Sequence, residues 1–177
     1  MVICKLGTMA LVATILAAVA AGGEKEETVF KVFPIGTVER EAGKTYLAIQ
    51  EKYAKGLVGL DGFSHVVVLY WFDRNDTPVK RSILQVRPRN NPQNPLTGVF
   101  AARSPVRPNL IGLSVARILA VEGNRVQVEA IDAFDHTPII DLKPFIPLDN
   151  PTQGIRVPDW ARKAEEEKPP PTPAKDE

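Results

Sequence analysis

Prolines set the terms on which this chain can fold. Each fixes its own φ, removes a backbone donor and pushes the residue before it towards extended geometry. There are 16 in 177 residues, so turns must be frequent and long helices are excluded. Between them the apolar residues come in short runs at roughly ten-residue spacing, bounded by glycine, asparagine and proline, which predicts an all-β barrel or sandwich. At 44% hydrophobic and 24% charged, the chain can bury an ordinary core and is not of disordered composition.

Residues 29–33 alternate and read as a first strand, interrupted by Pro34 and Gly36 and resumed at Thr37 and Val38. A second strand is expected over 45–50, a helical turn over 51–57, and a turn at Asp61-Gly62. Residues 66–72 lack alternation and are β-branched and aromatic, which reads as a strand covered on both faces at the centre of the sheet. Residues 82–86 form a further candidate strand, and 90–97, rich in proline and asparagine, a mobile loop. Runs at 113–121 and 125–131 flank Glu122-Gly123-Asn124, a three-residue hairpin connection. A last short strand falls at 139–142, a frayed helix at 159–167, and a disordered proline-rich tail at 168–177.

The N-terminus has the layout of an export signal. Lys5 precedes an uncharged run from Met9 to Ala21, and Ala18-Val19-Ala20 supplies a small-x-small cleavage pattern. The run is shorter than the roughly 18–20 residues a spanning helix needs, so no stable membrane span is expected. The expected organisation is a signal segment at 1–23, a linker at 24–28, a β-domain at 29–150 and an extension at 151–177. A secreted or periplasmic protein follows, or a cytoplasmic one if translation starts further downstream. The single cysteine, Cys4, excludes an internal disulfide.

Net charge is only +1, but its distribution is uneven. Between Thr77 and Val121 stand Lys80, Arg81, Arg87, Arg89, Arg103, Arg107 and Arg117 with no acidic residue, whereas acids dominate from Glu122 to Asp149. The densest chemistry lies at 98–114. There Ser104-Pro105 and Arg107-Pro108 make a stiff loop carrying Arg103 and Arg107, each a planar fork suited to a carboxylate, a phosphate or a ring face. Rigidly mounted loops are where binding residues concentrate. No Gly-x-Gly-x-x-Gly and no Gly-x-x-x-x-Gly-Lys-Ser/Thr is present, so the common nucleotide cradles are excluded. With histidine only at His65 and His136, no metal site is expected.

Three blocks in order carry a resemblance. Arg103-Ser-Pro-Val-Arg-Pro-Asn-Leu-Ile-Gly-Leu-Ser114, the upstream Gly56-Leu-Val-Gly-Leu-Asp-Gly-Phe-Ser-His-Val-Val-Val-Leu-Tyr-Trp-Phe72 and the downstream Asp132-Ala-Phe-Asp-His-Thr-Pro-Ile-Ile-Asp-Leu-Lys-Pro-Phe145 resemble the TsaA-like family. These are tRNA N6-adenosine methyltransferases of the TrmO type that use S-adenosylmethionine. The resemblance, over about residues 32–150, implies a small closed β-barrel with short helical turns and methyl transfer to N6 of threonylcarbamoyladenosine beside the tRNA anticodon. It also implies a homodimer whose partner chain helps complete the pocket. Cofactor contacts are then expected from Arg103, Ser104, Pro105, Arg107, Asn109, Leu113, Asp132, Asp135 and Thr137, and substrate contacts from His65, Tyr70 and Lys143. No catalytic acid, base or nucleophile is assigned, since a sulfonium is a good leaving group and alignment does most of the work.

Three departures from the family pattern stand out. His136 replaces a glycine of the Asp-Gly-Thr-Pro turn, Ala102 replaces a threonine, and residues 38–44 replace a Ser-Pro and Pro-Arg-Gln segment. With the export-like N-terminus they open an alternative: an exported, non-catalytic barrel binding an adenine-like or anionic ligand or a protein partner.

Overall fold

The computed structural model describes residues 28–147 and 155–166, so the expected signal segment and the proline-rich tail lie outside the described residues. Residues 1–31 and 32–177 are separate units; of the first, residues 28–31 carry no regular secondary structure and are exposed. In the second unit β1 (Gly36–Glu41) and β2 (Lys44–Ile49) form a hairpin. Its two-residue turn, Ala42-Gly43, has positive φ at both positions, the geometry that matches the twist of the flanking strands. There follow 3₁₀ turns at Glu51–Leu57 and Leu60–Gly62, then β3 (His65–Trp71). A short helix α1 (Pro78–Arg81) is capped by the Thr77 hydroxyl, which accepts from the Lys80 N–H. After it come the two-residue strands β4 (Gln85–Val86) and β5 (Thr97–Gly98), then β6 (Ile111–Glu122), β7 (Arg125–Val128) and β8 (Pro138–Pro144). Helix α2 (Asp159–Glu166) lies further along the chain.

Six strands close into an antiparallel barrel in the order β1-β2-β7-β6-β3-β8. Inward residues alternate with outward ones on every strand. Val38, Leu47, Val66, Val68, Val126, Val128 and Ile139 are almost wholly buried and fill the interior. Eight strands give an interior just wide enough for side chains. A barrel of six has no room for a ligand inside, so any binding site must lie on a rim or on the outer face.

Several expectations are corrected. Residues 29–33 form no strand, because pairing begins only after Pro34, whose missing N–H cannot join a ladder. The run 66–72 is not covered on both faces: Val66, Val68 and Tyr70 point inward, while His65, Val67, Leu69 and Trp71 face outward and are only half-buried. The alternation was hidden because the outward positions are also large and mostly apolar. The 113–121 and 125–131 hairpin is tighter than expected. Glu122 pairs with Arg125, leaving Gly123-Asn124 as the turn, with Gly123 at φ 59°, and β7 stops at Val128. The strand expected over 82–86 is reduced to two residues. The 90–97 loop is pinned, with Arg87 donating to the Asn94 carbonyl at 2.6 Å and Asn94 to that of Pro88 at 3.0 Å.

Candidate functional site

One rim of the barrel gathers the turn at 131–137 and the loop at 99–110. The turn is built onto β1. Val38 donates to the Thr137 carbonyl at 2.9 Å and its own carbonyl accepts from His136 N–H at 2.8 Å, so the β8 ladder is continued past Pro138. Asp135 Oδ1 accepts the Arg40 backbone N–H at 2.9 Å. The Arg40 guanidinium then donates to the carbonyls of Ile131 at 3.1 Å and Ala133 at 2.9 Å. Sequence reasoning passed over Arg40, which sits between Glu39 and Glu41 and reads as one more surface charge. Parity was the available signal, since Arg40 falls on the same face of β1 as Gly36 and Val38.

His136 keeps the turn in the shape a glycine would give it. Its φ is 63°, the left-handed region that costs a side-chain-bearing residue about 1–2 kcal/mol. The ring is exposed, and its Nε2 lies 3.2 Å from Asp135 Oδ2. His136 thus takes a backbone conformation open to glycine while placing an exposed ring on the surface of the turn.

The Arg-Ser-Pro loop is fastened by side chains instead. Arg81 carries it: its Nε meets Asp76 Oδ1 at 2.7 Å, its guanidinium lies 5.3 Å from the Trp71 ring, and it donates to the Pro108 carbonyl at 3.0 Å. Asp76 also accepts from Trp71 Nε1 at 3.1 Å; the Arg81 hydrogen bond, then the Trp71 one, hold its carboxyl below the usual range. Within the loop Ser104 Oγ accepts from Val106 N–H, and Arg107 donates to the Val99 carbonyl at 3.2 Å.

The turn and the start of β6 meet at Tyr70, the last inward residue of β3 and 3% exposed. Its hydroxyl donates to the Asp132 carbonyl at 2.6 Å and lies 3.3 Å from Ser114 Oγ. Gly112, directly opposite on β6, makes room for its ring; a Cβ there would overlap it. Burial pushes the phenol above its ordinary range, the Ser114 hydrogen bond opposes this, and the charges of Asp132 and Arg103 act on it in opposite senses. A cation and an anion are thus both within electrostatic reach of one hydroxyl at the rim. Neither the Arg103 guanidinium nor the Asp132 carboxylate makes a hydrogen bond or ion pair among the described residues, and both residues are exposed.

The other expected site residues divide. Ser104, Pro105, Arg107, Asn109, Asp132, Asp135 and Thr137 all lie on the two rim segments, although Thr137 is buried and Arg107 is engaged internally. Leu113 faces outward from β6, opposite Leu69 of β3, and is 45% exposed. His65 and Lys143 sit away from this rim. His65 stands at the far end of β3 with Ser64 Oγ 2.9 Å from its Nδ1, and Lys143 is paired with Asp141 at 2.9 Å on the outer face. These two are not brought to Tyr70. Among the described residues, no cluster of three His, Cys, Asp or Glu side chains is placed to hold a metal ion.

Residues 28–150 match the family model described as the tRNA-methyltransferase O N-terminal domain. A probable S-adenosyl-L-methionine-binding protein of Methanocaldococcus jannaschii is 46% identical over 112 residues, which covers 63% of this chain and 89% of that protein. A tRNA (adenine(37)-N6)-methyltransferase of Mus musculus is 42% identical over 101 residues, 57% of this chain but only 23% of the mouse protein. Among solved structures, a TrmO of Pseudomonas aeruginosa superposes with a TM-score of 0.60 at 27% identity, covering 77% of this chain and 64% of that one. The chain thus spans just under two thirds of that solved protein.

Proposed function

Because the chain belongs to the family of tRNA-methyltransferase O N-terminal domains, we propose that it binds S-adenosylmethionine at the Tyr70 rim and transfers its methyl group to N6 of the adenosine at position 37 of a tRNA. The observation that carries this reading is that the Arg103 guanidinium and the Asp132 carboxylate, both exposed on the two rim segments, make no hydrogen bond or ion pair among the described residues. The cofactor ends in an amino acid, whose carboxylate suits the Arg103 fork and whose ammonium suits Asp132. When bound, the cofactor supplies an electrophilic methyl carbon on a sulfur that leaves without protonation. The protein's part is to hold and align. Arg40 and Tyr70 fix the 131–137 turn through its carbonyls, and Arg81 fixes the Arg-Ser-Pro loop through that of Pro108. Tyr70 is not a base: burial keeps its phenol protonated, and its proton already goes to the Asp132 carbonyl.

Two finer points belong to the same proposal. The acceptor is the threonylcarbamoyl-modified adenosine, and the working unit is a homodimer. The outer face supports the second point. Ile111, Leu113 and Val115 on β6 are 39–47% exposed and lie beside Trp71, Leu69 and Val67 of β3, an apolar strip that ends next to the rim. A second chain seated there would bring Leu113 into one pocket with Arg103. The exported, non-catalytic alternative rests on residues 1–23, outside the described residues, on His136 in the turn and on the altered segment at 38–44, and the relatives matched do not favour it.

Calorimetry of the full chain with S-adenosylmethionine, in wild type and Arg103→Met, tests the cofactor site. Binding that weakens tenfold or more in the variant is expected, and equal binding would refute it. Methyl transfer is then compared on an unmodified tRNA transcript and on tRNA carrying the threonylcarbamoyl group. Sedimentation of wild type against Leu113→Asp reads the dimer.

A further inference from the structure

The turn that carries Asp132 also carries an aromatic residue the cofactor site does not use. Phe134 is 59% exposed, yet its position is not loose. The preceding carbonyl, of Ala133, accepts from Arg40 at 2.9 Å, and the following residue, Asp135, accepts the Arg40 backbone N–H at the same distance. One face of the ring lies under the Arg74 guanidinium, 4.2 Å from the ring centroid. Arg74 belongs to the 3₁₀ turn Asp73–Asn75 directly after β3, and its carbonyl accepts from Lys80 Nζ at 3.0 Å, which holds that turn as well. With one face occupied and the residue still more than half exposed, the opposite face is open to solvent.

A large apolar ring left in water is ordinarily mobile or covered. This one is fixed from both sides in the chain, backed by a cation, and two residues from Asp132, whose carbonyl caps Tyr70. A flat apolar face with a positive charge behind it fits an unpaired nucleobase next to its phosphate: the ring stacks on the base and the guanidinium attracts the backbone. We propose that Phe134 and Arg74 form a stacking platform that receives a splayed-out base of the RNA acceptor beside the methyl-transfer site. The inference rests on the tRNA reading above and adds the residues that position the substrate.

The experiment uses the full chain with an anticodon stem-loop RNA carrying 2-aminopurine within the loop, titrated by fluorescence. Wild type and Phe134→Trp should quench the probe on binding. Phe134→Leu, which keeps the bulk and loses the π-face, should bind about tenfold or more weakly with the quench abolished. Its melting temperature and its affinity for S-adenosylmethionine should match wild type. Arg74→Met should weaken RNA binding and flatten its salt dependence while some quench persists. If wild type binds the RNA and Phe134→Leu binds and quenches equally well, the platform is refuted and the tRNA reading stands. If wild type binds S-adenosylmethionine but no RNA in any state, both fail together.

Discussion

The two segments at the rim are held to different degrees by backbone and by side chains. The 131–137 turn is built into the barrel: its backbone continues the β8 ladder along β1, and Arg40 takes two of its carbonyls. The Arg-Ser-Pro loop has backbone bonds to other segments only at its ends, Val99 N–H to the Leu84 carbonyl at 3.0 Å and Phe72 N–H to the Leu110 carbonyl at 2.8 Å, and between them it is held by Arg81 at Pro108 and braced internally by Arg107 at Val99. The difference sorts the arginines by task. Arg40 and Arg81 are consumed in making the fold, whereas the exposed Arg103 guanidinium makes no hydrogen bond or ion pair among the described residues. A charge that the fold does not need is the best marker of where a ligand is awaited.

The sharpest way to break this contrast is to remove one arginine from each side. Arg40→Met deletes charge-assisted hydrogen bonds to two carbonyls and frees the turn, for a loss of about 2–3 kcal/mol of stability. Arg103→Met should change stability by less than about 0.5 kcal/mol while weakening S-adenosylmethionine binding. Urea melts and calorimetry on the same two variants read both quantities. The division of labour would be wrong if Arg103→Met proved as unstable as Arg40→Met.

Gly112 sharpens the comparison from the β6 side. Its missing Cβ lets the Tyr70 ring lie against the strand, so Gly112→Ala must displace the phenol that ties the turn to Ser114. A cost of about 1–3 kcal/mol is expected, in the range for overpacking, together with a loss of cofactor affinity that no contact of residue 112 itself would explain. A crystal structure of the variant with Tyr70 unmoved would contradict the argument.

How much of this could be read from the chain depends on what kind of signal each part leaves. The ordered blocks at 56–72, 103–114 and 132–145 identified the family and placed both rim segments, because loops bearing Ser-Pro, Arg-Pro and Thr-Pro have few other uses in combination. Barrel closure was legible only through that resemblance, since strand spacing does not say which edges pair. Arg40 escaped notice because a charge between two glutamates looks like plain surface. Phe134 and Arg74 escaped because they are 60 residues apart in number and meet only in space. His65 and Lys143 were grouped with the substrate site by motif membership, yet the register of β3 and β8 carries both to another part of the barrel.

Tyr70 gives the same comparison a pH axis. Its folded pKa is raised by burial above the ordinary value of about 10, so the folded state favours the neutral phenol. The stabilisation is fully present below about pH 10 and is lost as pH rises through the folded pKa, because the unfolded chain releases the proton first. Tyr70→Phe leaves the Asp132 carbonyl without its donor, a loss of about 1 kcal/mol at neutral pH. Its stability should then fall less steeply than wild type's as pH rises above about 10. Parallel slopes in thermal melts above about pH 10 would show that the phenol titrates alike in the folded and unfolded chain, and that burial does not raise it.

The smallest effect tests the turn alone. His136 holds a left-handed φ of 63° that a glycine adopts without strain, while its ring contributes only an exposed contact to Asp135, of the kind worth little in water. His136→Gly relieves the backbone but also frees the unfolded chain. The first term is about 1–2 kcal/mol and the second about 0.5–1 kcal/mol, so a net gain of roughly 0.5–1 kcal/mol is expected. Cofactor affinity should not change, since the path of the turn is already the one glycine would take. A stability loss in His136→Gly would mean that the ring too holds the turn, adding a third side chain to the Arg40 and Tyr70 bonds that already fasten it.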